Sequence, residues 1–494
     1  MPIEREHRTI VMMSSTPARV SAELRLSNPG AEGNAALAEC VARAAALDRE
    51  DSLAPFRDEF ALPPASAARA HDARGGSAPR ADPSEPRAIY LTGNSLGAMP
   101  KAARTLINEQ LDDWAELGVE GHLAGRDPWL PYHEWFRGPL SRLVGAHPHE
   151  VVCMNSLTVN LHLLMASFYR PTASRHAMVI EDAAFPSDSY AARSQAALHG
   201  FDPDRAVIRL TPREGEATLR TEDVEDTLRR EGHRVALVML GAVNYLTGQW
   251  LDMARITRAA HAAGAVCGWD LAHAVGNVPM RLHDIGADFA AWCSYKYLNG
   301  GAGAIAGAYV HERHCADKSI PQFAGWWGND PATRFKMTPQ FVPVASADRW
   351  QLSNPPIFGM VALKASLSIF ERATIERLRA KSLLLTGLLW DMIEAMNAPR
   401  PQASRVRALT PPNPSERGCQ LSLVVPGDAR RCFAHLQDTG MICDFREPNV
   451  IRAAPVPLYT RFDDVARFGL ALAATTAQDA GGARGVGAAG GAHS

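Results

Sequence analysis

The chain lacks the features that mark several protein classes. No run of about 18 apolar residues occurs, which excludes an ordinary membrane-spanning helix. The first twenty residues place Glu4, Arg5, Glu6, His7 and Arg8 ahead of a short apolar patch. They lack the roughly 7–15-residue apolar core and small-residue cleavage site of a secretory signal. Cysteine is sparse, eight in 494 residues, and no Cys-x-x-Cys pair exists. That scatter argues against a zinc ribbon and a disulfide framework, and reads as reduced, buried thiols in a cytoplasmic protein. Neither sign of charge is in excess. Lys+Arg is 51 and Asp+Glu is 53, net −2, so nothing points to a nucleic-acid coat or a polybasic membrane anchor. No internal repeat is visible. At 46% hydrophobic and 21% charged, the chain is not disordered as a whole.

What is present is an alternation of short apolar runs with amphipathic stretches. Residues 177–180, 206–208, 235–240, 265–269 and 289–292 read as strands, and 187–199, 221–231 and 252–263 as helices between them. This pattern predicts an α/β fold with a mostly parallel sheet covered by helices on both faces. Asn155 or Ser156 is expected to cap a helix running to about Tyr169. After about residue 355 two long helices, about 355–375 and 375–397, precede strand-like 420–425 and 449–452, which predicts a smaller α+β domain. The expected organisation is a flexible segment 1–34, an N-terminal part of the small domain at 35–99 with a Pro/Ala-rich insertion 63–86, a large domain 100–350, the rest of the small domain at 351–476, and a flexible Gly/Ala-rich tail 477–494.

The chemistry is concentrated between Gly268 and Asn299. Asp270 follows one apolar strand directly and His273 comes three residues later. Lys296 lies just past the next strand, about 23 residues beyond His273. Ligands of parallel sheets bind outside the carboxyl ends of the strands, so Asp270 and Lys296 are expected to face one crevice. Pyridoxal phosphate needs that pair, because its aldehyde condenses with a lysine amine and its pyridine nitrogen needs a carboxylate partner. A lone lysine is usually solvated and a lone strand-end aspartate is usually a cap; the spaced combination is far more specific. The helix opening at Asn155-Ser156-Leu157-Thr158 offers free N–H groups to a phosphate, although simple capping accounts for it equally. Phe185 can stack on a pyridine ring, and Arg452 can grip a carboxylate through two parallel hydrogen bonds. No metal is expected.

With those residues in place, the chain resembles the kynureninase family of fold-type-I pyridoxal-phosphate enzymes, within the aspartate aminotransferase superfamily. The matching segments are Gly93-Asn-Ser-Leu-Gly97, Met154-Asn-Ser-Leu-Thr-Val-Asn-Leu-His162, Phe185-Pro-Ser-Asp188, Gly268-Trp-Asp-Leu-Ala-His-Ala-Val-Gly-Asn277, Cys293-Ser-Tyr-Lys-Tyr-Leu-Asn299, Gly325-Trp-Trp-Gly328, Ser353-Asn-Pro-Pro356 and Ile451-Arg-Ala-Ala-Pro-Val-Pro-Leu-Tyr459. They are collinear over about residues 38–475. The resemblance implies that Lys296 carries the cofactor, Asp270 pairs with its ring nitrogen and His273 lies beside the ring. It implies that Phe185 stacks on the ring, with Ser187 and Asp188 nearby, and that Leu157, Thr158 and Tyr295 hold the phosphate. Trp326 and Asn354 would reach the site from the second subunit of a homodimer, Arg452 would bind the substrate α-carboxylate, and His122 would lie near its aromatic end.

The implied reaction is hydrolysis of L-kynurenine or its 3-hydroxy form to an anthranilate and L-alanine, in tryptophan breakdown or NAD biosynthesis. Two positions depart from the family pattern. Asn329 stands where relatives often have histidine, and Gly241 where they often have a hydroxyl residue, a loss of one phosphate hydrogen bond worth roughly 1 kcal/mol. The competing reading is a cysteine desulfurase-like lyase or an aminotransferase, but no cysteine sits in the Gly/Ser-rich loop a desulfurase needs. Gly301-Ala-Gly303-Ala-Ile-Ala-Gly307 imitates a dinucleotide fingerprint, yet it follows the lysine rather than a first strand.

Overall fold

The computed structural model describes residues 31–69, 82 and 84–482. The segments 1–34 and 477–494 and the insertion 63–86 therefore lie largely outside the described residues. Where they are described, the first and last are helical rather than irregular.

Along the chain, helix α1 (Ala31–Glu50) and helix α2 (Ala102–Leu117) precede strand β1 (Val151–Cys153). Then follow α3 (Leu157–Phe168), β2 (Ala177–Glu181), α4 (Pro186–Leu198), β3 (Val207–Leu210), α5 (Thr221–Glu231), β4 (Val235–Gly241), α6 (Met253–Ala262), β5 (Val266–Asp270), β6 (Phe289–Trp292) and β7 (Gly307–Val310). Helices α7 (Ile357–Ala373) and α8 (Ile375–Asn397) lead to β8 (Arg407–Ala408), β9 (Leu421–Val424), α9 (Ala429–Asp438), β10 (Asp444–Arg446), β11 (Val450–Ala453) and α10 (Phe462–Gly482).

The seven-stranded sheet has the order β1-β7-β6-β5-β4-β2-β3. Strand β7 runs antiparallel to β1 and β6, and the pairs from β6 to β3 are parallel. Its strands are apolar almost throughout because helices cover both faces: Leu237 and Met239 point into one core, Val238 and Leu240 into the other. Helix α5 supports its own dipole, with Glu222 and Asp223 in the first turn and Arg229 and Arg230 in the last. Asp252 caps α6, accepting from the Arg255 amide at 3.0 Å. Ser156 occupies the N-cap position of α3 but makes no side-chain cap bond there, contrary to the capping expected of it.

A four-stranded antiparallel sheet, β8-β9-β11-β10, forms the second unit. Its core joins Leu421, Leu423, Ile451 and Phe468 to Leu37 of α1 and to Ile89 and Leu91. The two cores draw on residues from several segments of the chain. Leu53, Phe60, Leu62 and most of the buried apolar residues of α7 belong to the core of the large sheet, and α8 crosses over, with Leu378 in the large core and Leu385 in the small one. Helix α7 is drawn to the large unit because it lays Met360, Val361, Leu363 and Leu367 against that core.

Candidate active site

The parallel strands all end on one edge of the large sheet, and a cavity of about 270 Å³ opens there. Gly241 at the end of β4, Asp270 at the end of β5 and Ala291 of β6 lie in register across three strands. The next loop carries Lys296 over that edge. Among the cavity's lining residues are Leu157, Thr158, Phe185, Ser187, Asp188, Asp270, His273, Tyr295 and Lys296.

Lys296 Nζ stands 3.0 Å from His273 Nε2, and 5.8 Å from the centre of the Phe185 ring. Burial, with Lys296 as the next cause, holds the His273 imidazole well below its usual range. It is therefore neutral and can accept from the lysine. Its Nδ1 is buried without a partner. Asp270 is buried and accepts from the Ala272 amide at 2.6 Å. Burial raises both Asp270 and Asp188, and the two share a hydrogen bond. Their mutual contact raises Asp188 further and draws Asp270 back down. Tyr295 is pushed up by burial and stays a phenol.

Neighbouring motifs hold this arrangement in place. Gly97 donates its amide to the Tyr295 carbonyl at 2.8 Å. A Cβ there would lie 2.3 Å from the Lys296 carbonyl oxygen, so only glycine allows the backbone so close. Asn277 donates to the His273 carbonyl at 2.8 Å and accepts from the Cys419 amide at 2.9 Å, tying the Asp270–His273 turn to the segment just before β9.

The fold does not bring every expected residue to the cavity within one chain. Trp326 is 44% exposed and donates to the Arg334 carbonyl at 3.0 Å. Asn354 is exposed. His122 packs edge-on against Trp129, 5.3 Å between ring centres. Arg452 is 2% exposed and reaches the cavity wall indirectly, donating to the carbonyl of the lining residue Tyr245 at 2.6 Å. Asn329 is spent locally, accepting from the Val342 amide at 2.6 Å.

Glu181 was missed in the sequence, although it ends an apolar strand just as Asp270 does. It lines the cavity, accepts from the Gly241 amide at 3.0 Å and from Asn244 at 2.7 Å, and burial raises it to about 7. A Cβ at Gly241 would stand 3.0 Å from this carboxylate, which gives the departure at position 241 a local reason. Two His and carboxylate groupings close enough to share a cation occur among the described residues, His147 with His283 and Glu312, and Glu150 with His283 and His311. They sit at the opposite sheet edge, and Glu150 is spent on the His147 and Glu312 amides.

The residues fit pyridoxal phosphate. A lysine amine, a buried carboxylate and an uncapped helix start line one cavity of suitable size, and the orphaned His273 Nδ1 adds a polar atom without a protein partner.

The family described as Kynureninase C-terminal domain matches residues 378–472, and Aminotransferase class-V matches residues 131–409. A Myxococcus xanthus (strain DK1622) protein named Kynureninase is 53% identical over 422 residues, covering 85% of this chain and 94% of its own. A Kynureninase from Salinispora tropica is 52% identical over 440 residues, covering 88% and 98%. Among solved structures, the cysteine desulfurase CsdA from Escherichia coli superposes with a TM-score of 0.64 at 17% identity, covering 87% of this chain and 99% of that one. That likeness concerns the fold alone.

Proposed function

The chain belongs to the kynureninase family, and we propose that the cavity at the strand ends hydrolyses L-kynurenine or 3-hydroxy-L-kynurenine to the corresponding anthranilate and L-alanine. It is a pyridoxal-phosphate-dependent hydrolase. The observation that carries the reading is Lys296 beside neutral His273, in the cavity that Asp270 also lines.

When bound, pyridoxal phosphate supplies an electron sink conjugated to the substrate Cα. Lys296 would hold the cofactor and, once freed by the substrate amine, would move the proton at the substrate Cα. Neutral His273 accepts from Lys296 without adding a second positive charge. Asp270 would pair with the pyridine nitrogen and Phe185 would cover the ring, with Ser187 and Asp188 nearby. Leu157 and Thr158 at the start of α3, together with Tyr295, would hold the phosphate. Tyr295 would also be placed to give a proton to the substrate Cβ, while water supplies the hydroxyl that leaves on the γ-carbonyl carbon as the anthranilate carboxyl. Arg452 orients the α-carboxylate and His122 lies toward the aromatic end.

Trp326 and Asn354, outlying in one chain, complete the site from the second subunit of a homodimer. The exposed aromatic and apolar side chains of Phe323, Trp326, Phe335 and Met337 support such a face. A place in tryptophan catabolism or NAD biosynthesis goes with this reaction. Eight free and buried cysteines are compatible with a reducing cytoplasm, and no described helix is long and apolar enough to cross a membrane. A desulfurase would need an accessible thiolate, whereas burial pushes Cys419, for one, up to about 12.

The test is steady-state turnover of both substrates, following the fluorescent aminobenzoate. Equimolar aminobenzoate and L-alanine, with no keto-acid requirement, is the expected result. Dependence on a keto acid, or release of sulfide from cysteine in its place, refutes the proposal.

A further inference from the structure

We propose that Asp444 is the positioning residue that holds Arg452 ready for a substrate carboxylate. The inference rests on the reading of Arg452 as the carboxylate-binding group. In the antiparallel pair β10–β11, Asp444 lies directly opposite Arg452. Strand alternation sends Ile451, Ala453 and Phe445 to the small-unit core, and Asp444, Arg446 and Arg452 to the other face.

Arg452 is anchored at both terminal nitrogens. Nη1 donates to the Tyr245 carbonyl at 2.6 Å, and Nη2 donates to Asp444 Oδ2. Its Nε is buried with no partner. A long side chain fixed at two points has already lost the rotamer freedom that ligand binding would otherwise remove. The buried donor without a partner marks where one more acceptor is missing.

The charges point the same way. Burial lowers Arg452 to about 10, and a charge so deeply buried is stabilised by a paired carboxylate. Asp444 supplies one, but it also takes Arg446 Nη2 at 3.1 Å. Two arginines share one carboxylate, and the surplus positive charge is felt by His273. An incoming carboxylate balances that surplus. Asp444 thus orients Arg452 without saturating it.

The test uses the cofactor-loaded Asp444→Asn enzyme, with retained visible absorbance as the check that the site is assembled. Three ligands are compared: L-kynurenine, the product L-alanine, and the decarboxylated amine analogue of kynurenine. The expected result is a rise of about tenfold or more in KM for L-kynurenine and in the inhibition constant of L-alanine. kcat changes little, and affinity for the amine analogue is unchanged. Asp444→Glu, which keeps the charge, recovers part of the loss.

An unchanged or lower KM overturns the inference, because Asp444 would then be idle or would block the guanidinium. An equal loss for the amine analogue also overturns it, because the effect would then be general to the fold. Arg452→Gln is measured alongside. If that variant keeps the parent's preference for carboxylate-bearing ligands, the reading of Arg452 itself fails. If it loses the preference while Asp444→Asn does not, only the role of Asp444 fails.

Discussion

Lys296, Asp270 and His273 line one cavity of a single chain, whereas Trp326, Asn354 and His122 do not. The first group sits at or just past the ends of neighbouring parallel strands, so sheet register brings them to one edge. The second group sits on short turns and loops, with Trp326 and Asn354 turned toward solvent. The contrast separates what one chain builds from its own topology and what, on the proposal above, a second copy adds.

The predictions bear on that contrast, the largest effect first. Lys296→Ala removes the group on which the inner set depends. Turnover is expected to fall below detection and the covalent cofactor to be lost; an active variant breaks the assignment. Asp270→Ala should lower kcat by roughly a hundredfold or more and weaken cofactor retention, as measured by turnover and by cofactor release on gel filtration.

Mixing is the sharpest probe of the outer set. Refolding or exchanging Lys296→Ala with Trp326→Ala chains should yield more activity than the sum of the separate variants, because a hybrid dimer would contain one intact site. Strict additivity would mean that each chain completes its own site. Gly97→Ala perturbs the inner set through the backbone. Its Cβ would meet the Lys296 carbonyl at 2.3 Å, and kcat/KM should drop about tenfold or more.

The smallest effect is a pH dependence of stability in the cofactor-free protein. Glu181 is raised from 4.5 to about 7 by burial. The folded state therefore keeps this proton more firmly than the unfolded chain does. That stability is fully present below pH 4.5 and is lost as pH rises toward about 7. Urea midpoints of the parent relative to Glu181→Gln should diverge across that window and run parallel outside it.

Much of this was legible in the sequence because parallel strands buried on both faces read as apolar runs. The runs at 177–180, 235–240 and 289–292 became β2, β4 and β6, and the strand-end logic then placed Asp270 and Lys296 together. The same logic applied to Glu181 would have found it, since the run Ala-Met-Val-Ile ends there. Strand β7 was not legible: it is four residues long, follows a glycine-rich turn and runs antiparallel. The cross-strand neighbour of Arg452 was hidden as well, because the pairing of Asp444 with position 452 is a matter of register that composition does not reveal. The allegiance of α7 to the large unit depends on which core its apolar face meets, and the helix period is the same in either case.

Borohydride reduction of the cofactor-loaded enzyme, followed by digestion and peptide mass analysis, addresses the inner set most directly. The account predicts a pyridoxyl adduct on the peptide containing Lys296 and none in the Lys296→Ala enzyme. An adduct on another lysine, or no adduct on an enzyme that still turns over kynurenine, would contradict it.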